Sequence, residues 1–365
     1  AMSSNKNLNT PLNEMNQLSF DDFKQIILTD FRVANESRQA SLLGRKEVLT
    51  GKAKFGIFGD GKELAQIAMA KVFRDGDFRS GYYRDQTFMF AIGESTVKEY
   101  FAQLYAHTNA ELEPASAGRL MNGHFATRSL NDDGSWKDLT SMKNSSADIS
   151  PTAGQMPKLL GLAYASKLFR ENQDLSDLSQ FSNNGNEVAW GTIGNASTSE
   201  GLFWETLNAA GVLQVPMAIS VWDDGYGISV PQKFQTIKHC ISDALRGFEK
   251  TDQRPGYSIF TCKGWDYPAL VDTYEKGVAE CREKHTPVLF HIQEMTQPQG
   301  HSTSGSHTRY KSAQRLEWEQ DWDCNLKFKE WVITNGYATS DELEEIEENA
   351  KKLIRQERNS AWKAY

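Results

Sequence analysis

The chain has 365 residues, 39% of them hydrophobic, with nine tryptophans, nineteen phenylalanines and a formal net charge of −8. That is enough chain for one large α/β domain or two modest ones, and its aromatic content excludes a disordered polymer. The acidic balance opposes nucleic-acid binding through phosphates but leaves room for a small anion held by a local cluster of donors. Cys240, Cys262, Cys281 and Cys324 show no CxxC spacing, so neither a zinc ribbon nor a dithiol motif is expected, and four reduced thiols suit a cytoplasmic protein. No apolar run has the length of a membrane span, which needs roughly 20 residues.

Residues 1–17 are polar, lack a signal-peptide core and read as a disordered arm. Helical periodicity begins after them, with Phe23, Ile26, Ile27 and Phe31 on one face. "GDGKELAQIAMAKVF" (59–73) reads as a turn followed by a helix, and "STVKEYFAQLYAHT" (95–108) as a second helix. Residues 111–150 are rich in Gly, Asn, Asp and Ser, the composition of a functional or mobile stretch. "SPTAGQMPKLLGLAYASKLF" (150–169) returns to helix, with Pro157 suited to its first turn. Strands are expected at 187–193, 217–222, 257–263 and 287–295, with helices at about 199–211 and 270–284. That alternation predicts an α/β fold with a parallel sheet flanked by helices. Residues 18–312 form its domain. Residues 313–365 are a charged helical extension with a capping signal at Thr339, Ser340 and Glu342.

In such a sheet, ligands bind outside the carboxyl ends of the strands. The loops at 194–198, 223–227, 264–268 and 296–308 are expected at that edge. In "EVAWGTIGNASTSEGLFWETL" (187–207), Gly194 permits a sharp turn, and Ala196, Ser197 and Thr198 are small enough for a ligand to approach. The helix start that follows favours phosphate. Asn195 sits at the loop tip and Asp224 ends the next strand, so an amide oxygen and a carboxylate meet beside that phosphate, a partial shell for Mg²⁺. Taken alone, the same residues also suit plain packing, and Asp223-Asp224-Gly225 a simple turn.

The stretch "GNASTSEGLFWETLNAAGVLQVPMAISVWDDGYGIS" resembles the thiamin diphosphate motif of 2-oxo acid dehydrogenase E1 α subunits. "GYYRDQ" (81–86), "ISPTAGQMPKLLGLAYASK" and "GHSTSGSHTRY" (300–310) resemble other segments of that family in the same order, so the likeness covers nearly all the chain past residue 20. It implies the thiamin diphosphate-binding fold with helical N- and C-terminal extensions. It implies that Asn195, Asp224 and the backbone oxygen of Tyr226 bind Mg²⁺, and that Tyr82, Tyr83 and Arg84 hold the diphosphate beside Gly194, Asn195, Ala196 and Ser197. Ser150, Thr152 and Ile228 would lie near the aminopyrimidine and the bend between the rings. His301 would face the thiazolium and act as catalytic proton donor, while His124 is as consistent with a structural role as with a functional one.

The pattern departs from the family in four places. The acidic and amide residues at 195 and 224 are exchanged, Ala196 replaces a glycine, Trp222 a basic residue and Thr152 an aliphatic one. The exchange keeps one carboxylate and one amide. The resemblance further implies an α subunit, or α half of a fused chain, in a heterotetramer whose β part supplies the activating glutamate. Its substrate would be a small 2-oxo acid, of branched-chain type with pyruvate or acetoin as alternatives, and its acyl acceptor a lipoyl-bearing E2. A non-catalytic assembly subunit of the same fold is the rival outside enzymes.

Overall fold

The computed structural model describes residues 19–365, so the arm expected at 1–17 lies outside the described residues. Helix α1 (Phe20–Leu49) starts where the Ser19 side chain caps it by accepting from the Asp22 amide, with Asp21 and Asp22 in its first turn. It buries Ile27, Phe31 and Ala34, one face at helical spacing. Helix α2 (Glu63–Val72) follows a turn in which Gly61 adopts φ +86°. Strand β1 (Phe78–Ser80) then precedes the short α3 (Gln86–Ala91) and α4 (Val97–Leu104), the latter opened by a Thr96–Glu99 capping box. The stretch 111–150 is largely irregular as expected, but its end supplies strand β2 (Asn144–Ser145).

The regular alternation comes next: α5 (Gln155–Glu171), β3 (Ala189–Gly194), α6 (Gly201–Leu213), β4 (Met217–Trp222), the ribbon β5 (Tyr226–Gly227) and β6 (Val230–Pro231), and the one-turn α7 (Ile241–Ala244). Strand β7 (Ser258–Lys263), α8 (Tyr267–Lys284) and β8 (Val288–Gln293) complete it. Six strands form one sheet in the order β2-β1-β3-β4-β8-β7, with every pairing parallel. The central strands are buried on both faces. Trp190, Trp222, Phe290 and Ile292 enter one core with α1, α2 and α8, and Ile193, Ile219, Val221 and Leu289 enter the other with α5 and α6. Helix α5 lies so close to β3 that a Cβ on Gly191 would stand 2.2 Å from Leu159. Helices α9 (Ala313–Asp321), α10 (Cys324–Thr334) and α11 (Ser340–Ala364) end the chain, and Thr339 and Glu342 form the capping box that opens α11. Among the described residues no helix is long and apolar enough to cross a membrane, and all four cysteines are free thiols.

Candidate functional site

Because the strands are parallel, the loops after β1, β3, β4 and β8 emerge at one edge. The register sets Ser80 beside Gly191 and Gly194 beside Trp222. Between these ends lies a cleft of about 580 Å³, a size suited to a cofactor, lined by Tyr82, Tyr83, Arg84, Thr152, Gly194, Asn195, Ala196, Ser197, Asp224, Tyr226, Ile228 and His301. Of the residues the sequence nominates, Ser150, Thr198 and His124 are not part of this lining. Ser150 is exposed, and its hydroxyl meets His124 Nε2 at 3.1 Å. His124 is buried with Nδ1 3.1 Å from the Met121 carbonyl, to which it donates.

Each lining residue is held by its own element. Gly194 makes no sharp turn: it ends β3 without a positive φ, and what it contributes is space, since a Cβ there would meet Tyr82 at 3.6 Å. The expected helix start at about 199 is instead one 3-10 turn, Ala196–Ser199, with α6 beginning at Gly201. Thr198 fixes that turn by donating its hydroxyl to the Asn195 carbonyl at 2.6 Å. Asn195 itself is 2% exposed, and its Nδ2 is buried without a hydrogen-bond partner. An orphaned buried amide costs free energy unless a ligand completes it.

The acidic pair after β4 divides its labour. Asp223 builds the turn: it accepts from the Gly225 amide at 2.9 Å and from Gln232 Nε2 at 2.8 Å, and it meets His291 Nε2 at 2.7 Å. Gly225 is needed there, at φ +78°. Asp224 faces the cleft, and it is the sole carboxylate among the residues lining it.

A residue that the sequence does not nominate stands against Asp224. Lys62, 1% exposed at the start of α2, donates from Nζ to Asp224 Oδ2 at 3.1 Å, to the Thr296 carbonyl at 2.9 Å and to Gln297 Oε1 at 2.7 Å. The one local signal is the "GDGKE" turn at 59–63, which says nothing of partners more than 160 positions away. Arg84 donates to the carbonyls of Phe58 at 2.5 Å and His301 at 2.9 Å, leaving each terminal nitrogen one further hydrogen. Behind it, buried Arg79 ties Asp85 (2.6 Å) to Asp148 (3.0 Å) and holds the Tyr82 carbonyl at 3.1 Å. Trp222 donates its indole N–H to Asp85 Oδ1 at 3.2 Å.

These charges set the titration of the site. Burial would raise the Asp224 carboxyl, but Lys62, Arg84 and Lys311 outweigh it and keep the group below the ordinary carboxylate value. Burial lowers the Lys62 ammonium, and Asp224 opposes that only in part. Burial, joined by Arg84 and Lys62, pushes His301 down to about 4, so it is neutral at physiological pH rather than poised there as the sequence led one to expect. The cleft therefore offers a cationic floor, an unpartnered amide and a neutral imidazole.

The model of the family described as "Dehydrogenase E1 component" matches residues 36–364. A 2-oxoisovalerate dehydrogenase subunit alpha of Bacillus subtilis is 27% identical over 81% of this chain and 78% of its own length. A mitochondrial 2-oxoisovalerate dehydrogenase subunit alpha 1 of Arabidopsis thaliana is 25% identical over 84% of this chain, and a pyruvate dehydrogenase E1 component subunit alpha of Rickettsia bellii is 21% identical over 55%. The chain spans 57% of the plant protein's length and 55% of the Rickettsia protein's. With the cleft, the parallel sheet and a match running from residue 36 to residue 364, the chain belongs to the dehydrogenase E1 component family, among the thiamin diphosphate-dependent α components of 2-oxo acid dehydrogenases.

Proposed function

We propose that this chain is the α part of an E1 that decarboxylates a branched-chain 2-oxo acid of the 2-oxoisovalerate type and passes the acyl group to a lipoyl-bearing E2. The observation that carries the proposal is the convergence of Lys62, Arg84, Asn195, Asp224 and His301 on one cleft at the carboxyl edge of the sheet. The residues fit the cofactor: two cations face a place for a diphosphate, the Asn195 amide lacks a partner, and Gly194 leaves the approach open. When bound, thiamin diphosphate supplies the electron sink for decarboxylation. Arg84 would hold the diphosphate with its two remaining N–H groups while Lys62 balances the charge from beneath, and Arg84 fixes the His301 loop by its bond to that residue's carbonyl. His301, lowered first by burial and then by Arg84 and Lys62, would present a neutral ring able to accept or position a proton beside the bound cofactor.

The donor set does not fit Mg²⁺. Asp224, the one carboxylate of the cleft, is already paired with the buried Lys62 ammonium at 3.1 Å, so the charged member of the set is taken by a resident cation. No step here runs through that ion.

The β part completes the site. Beside the cleft, Phe234 is 73% and Ile237 74% exposed, with Ile228 and Val230 next to them, an apolar flank suited to a protein partner. The branched-chain assignment rests on the names of the relatives in Bacillus and Arabidopsis. The test is turnover by the chain assembled with its β part, read as carbon dioxide release from 2-oxoisovalerate and from pyruvate and as acetaldehyde release from acetoin. Preference for 2-oxoisovalerate bears the proposal out, and preference for another compound replaces its substrate. A folded assembly inert toward all three favours the assembly-subunit reading.

A further inference from the structure

The Lys62 ammonium is bound as a metal ion is bound. Its three hydrogens are spent on three oxygens, of Asp224, Thr296 and Gln297, at 2.7–3.1 Å, and the nitrogen is sealed from solvent. A charge fixed this way is not screened by salt as a surface lysine would be. It also sits on the one carboxylate that a divalent ion in this cleft would need. The lining residues carry two cations, Lys62 and Arg84, against one anion, and Lys311 lowers Asp224 further from outside the lining. A divalent cation entering that site meets a positive bias. A diphosphate meets attraction from the outset, along with the unpartnered Asn195 amide.

We propose that Lys62 is a resident cation standing in for the metal, so that this site binds the diphosphate of its cofactor without a divalent ion. The proposal rests on the thiamin diphosphate reading above, and the exchange at 195 and 224 acquires a reason from it. Asn195 offers its unpartnered amide Nδ2 to phosphate because no metal requires a carboxylate at that position, and Asp224 is kept as the anchor of the ammonium.

The experiment is calorimetric titration of thiamin diphosphate into the assembled α and β parts, in EDTA and in Mg²⁺, for the native chain and for Lys62→Gln. The native assembly is expected to bind in EDTA with an affinity within about threefold of that in Mg²⁺, a difference smaller than one hydrogen bond. Lys62→Gln is expected to lose at least about tenfold in EDTA, the loss of one unscreened positive charge beside the diphosphate, and to regain part of it with Mg²⁺ because Asp224 is then unpaired. Native binding that requires Mg²⁺ overturns the proposal and leaves the cofactor assignment standing. Absence of binding in both media overturns both. The comparison of the native protein in the two media decides the matter even if Lys62→Gln does not fold.

Discussion

The same two cations, Lys62 and Arg84, lower both Asp224 and His301, which leaves the first charged and the second neutral. Removing the anion strands the ammonium, so Asp224→Ala is expected to destabilise the chain by about 1–3 kcal/mol in urea unfolding, Lys62 keeping its two other acceptors. Unchanged stability would show that the pair is not formed in solution. His301 gives a pH signature. Its pKa falls to about 4 from the ordinary 6.5, so between those values the unfolded chain holds a proton that the folded chain lacks. Stability from this group therefore rises as pH climbs through that window and is complete above it. The native chain should gain more stability from pH 4 to 6.5 than His301→Gln does; parallel curves would contradict the burial and cation repulsion described here. Asp224, Asn195 and His301 could be nominated from sequence because each ends or follows a strand in a recognisable segment. Lys62 could not, because its meaning comes from residues 224, 296 and 297, which reach it only through the fold.

The elements that were legible are those with a repeating physical pattern. Strands β3, β4, β7 and β8 are runs bounded by loops, and their observed limits fall within two residues of expectation. Strands β1 and β2 were missed: they have three and two residues, too few to show periodicity, and β1 carries the charged Arg79 inward. That arginine is an element-scale device, joining β1 to the 81–85 turn through Asp85 and to the 111–150 stretch through Asp148. Arg79→Met is expected to cost about 3–5 kcal/mol, because two buried carboxylates lose their partner, and a loss below about 1 kcal/mol in urea unfolding would refute that role. Ile228 is the opposite case. A β-branched side chain, 61% exposed at φ +55° on the ribbon beside the cleft, is held in a strained conformation for something other than the core. Ile228→Gly should fold with equal or slightly greater stability, by up to about 1 kcal/mol, yet bind thiamin diphosphate more weakly. Loss of stability with unchanged binding would make the residue structural.

At the scale of the whole molecule, the sheet sets its carboxyl edge toward the cleft, with an exposed apolar flank beside it. Phe234→Asp combined with Ile237→Asp should leave the thermal unfolding of the isolated chain within a few tenths of a kcal/mol while preventing association with the β part, read by analytical ultracentrifugation. Normal assembly by that double variant would move the interface elsewhere. The flank was invisible in the sequence because single apolar residues at 228, 230, 234 and 237 follow neither a strand nor a helix period, and only the folded ribbon collects them. The central claim is that a diphosphate belongs between Lys62, Arg84 and the turn at Asn195. Its most direct test is diffraction from the assembled α and β parts soaked with thiamin diphosphate. The account predicts diphosphate density within hydrogen-bond reach of Arg84 and the Asn195 amide, beside Lys62. Density for the cofactor anywhere else, or none in crystals whose cleft is open to solvent, would contradict it.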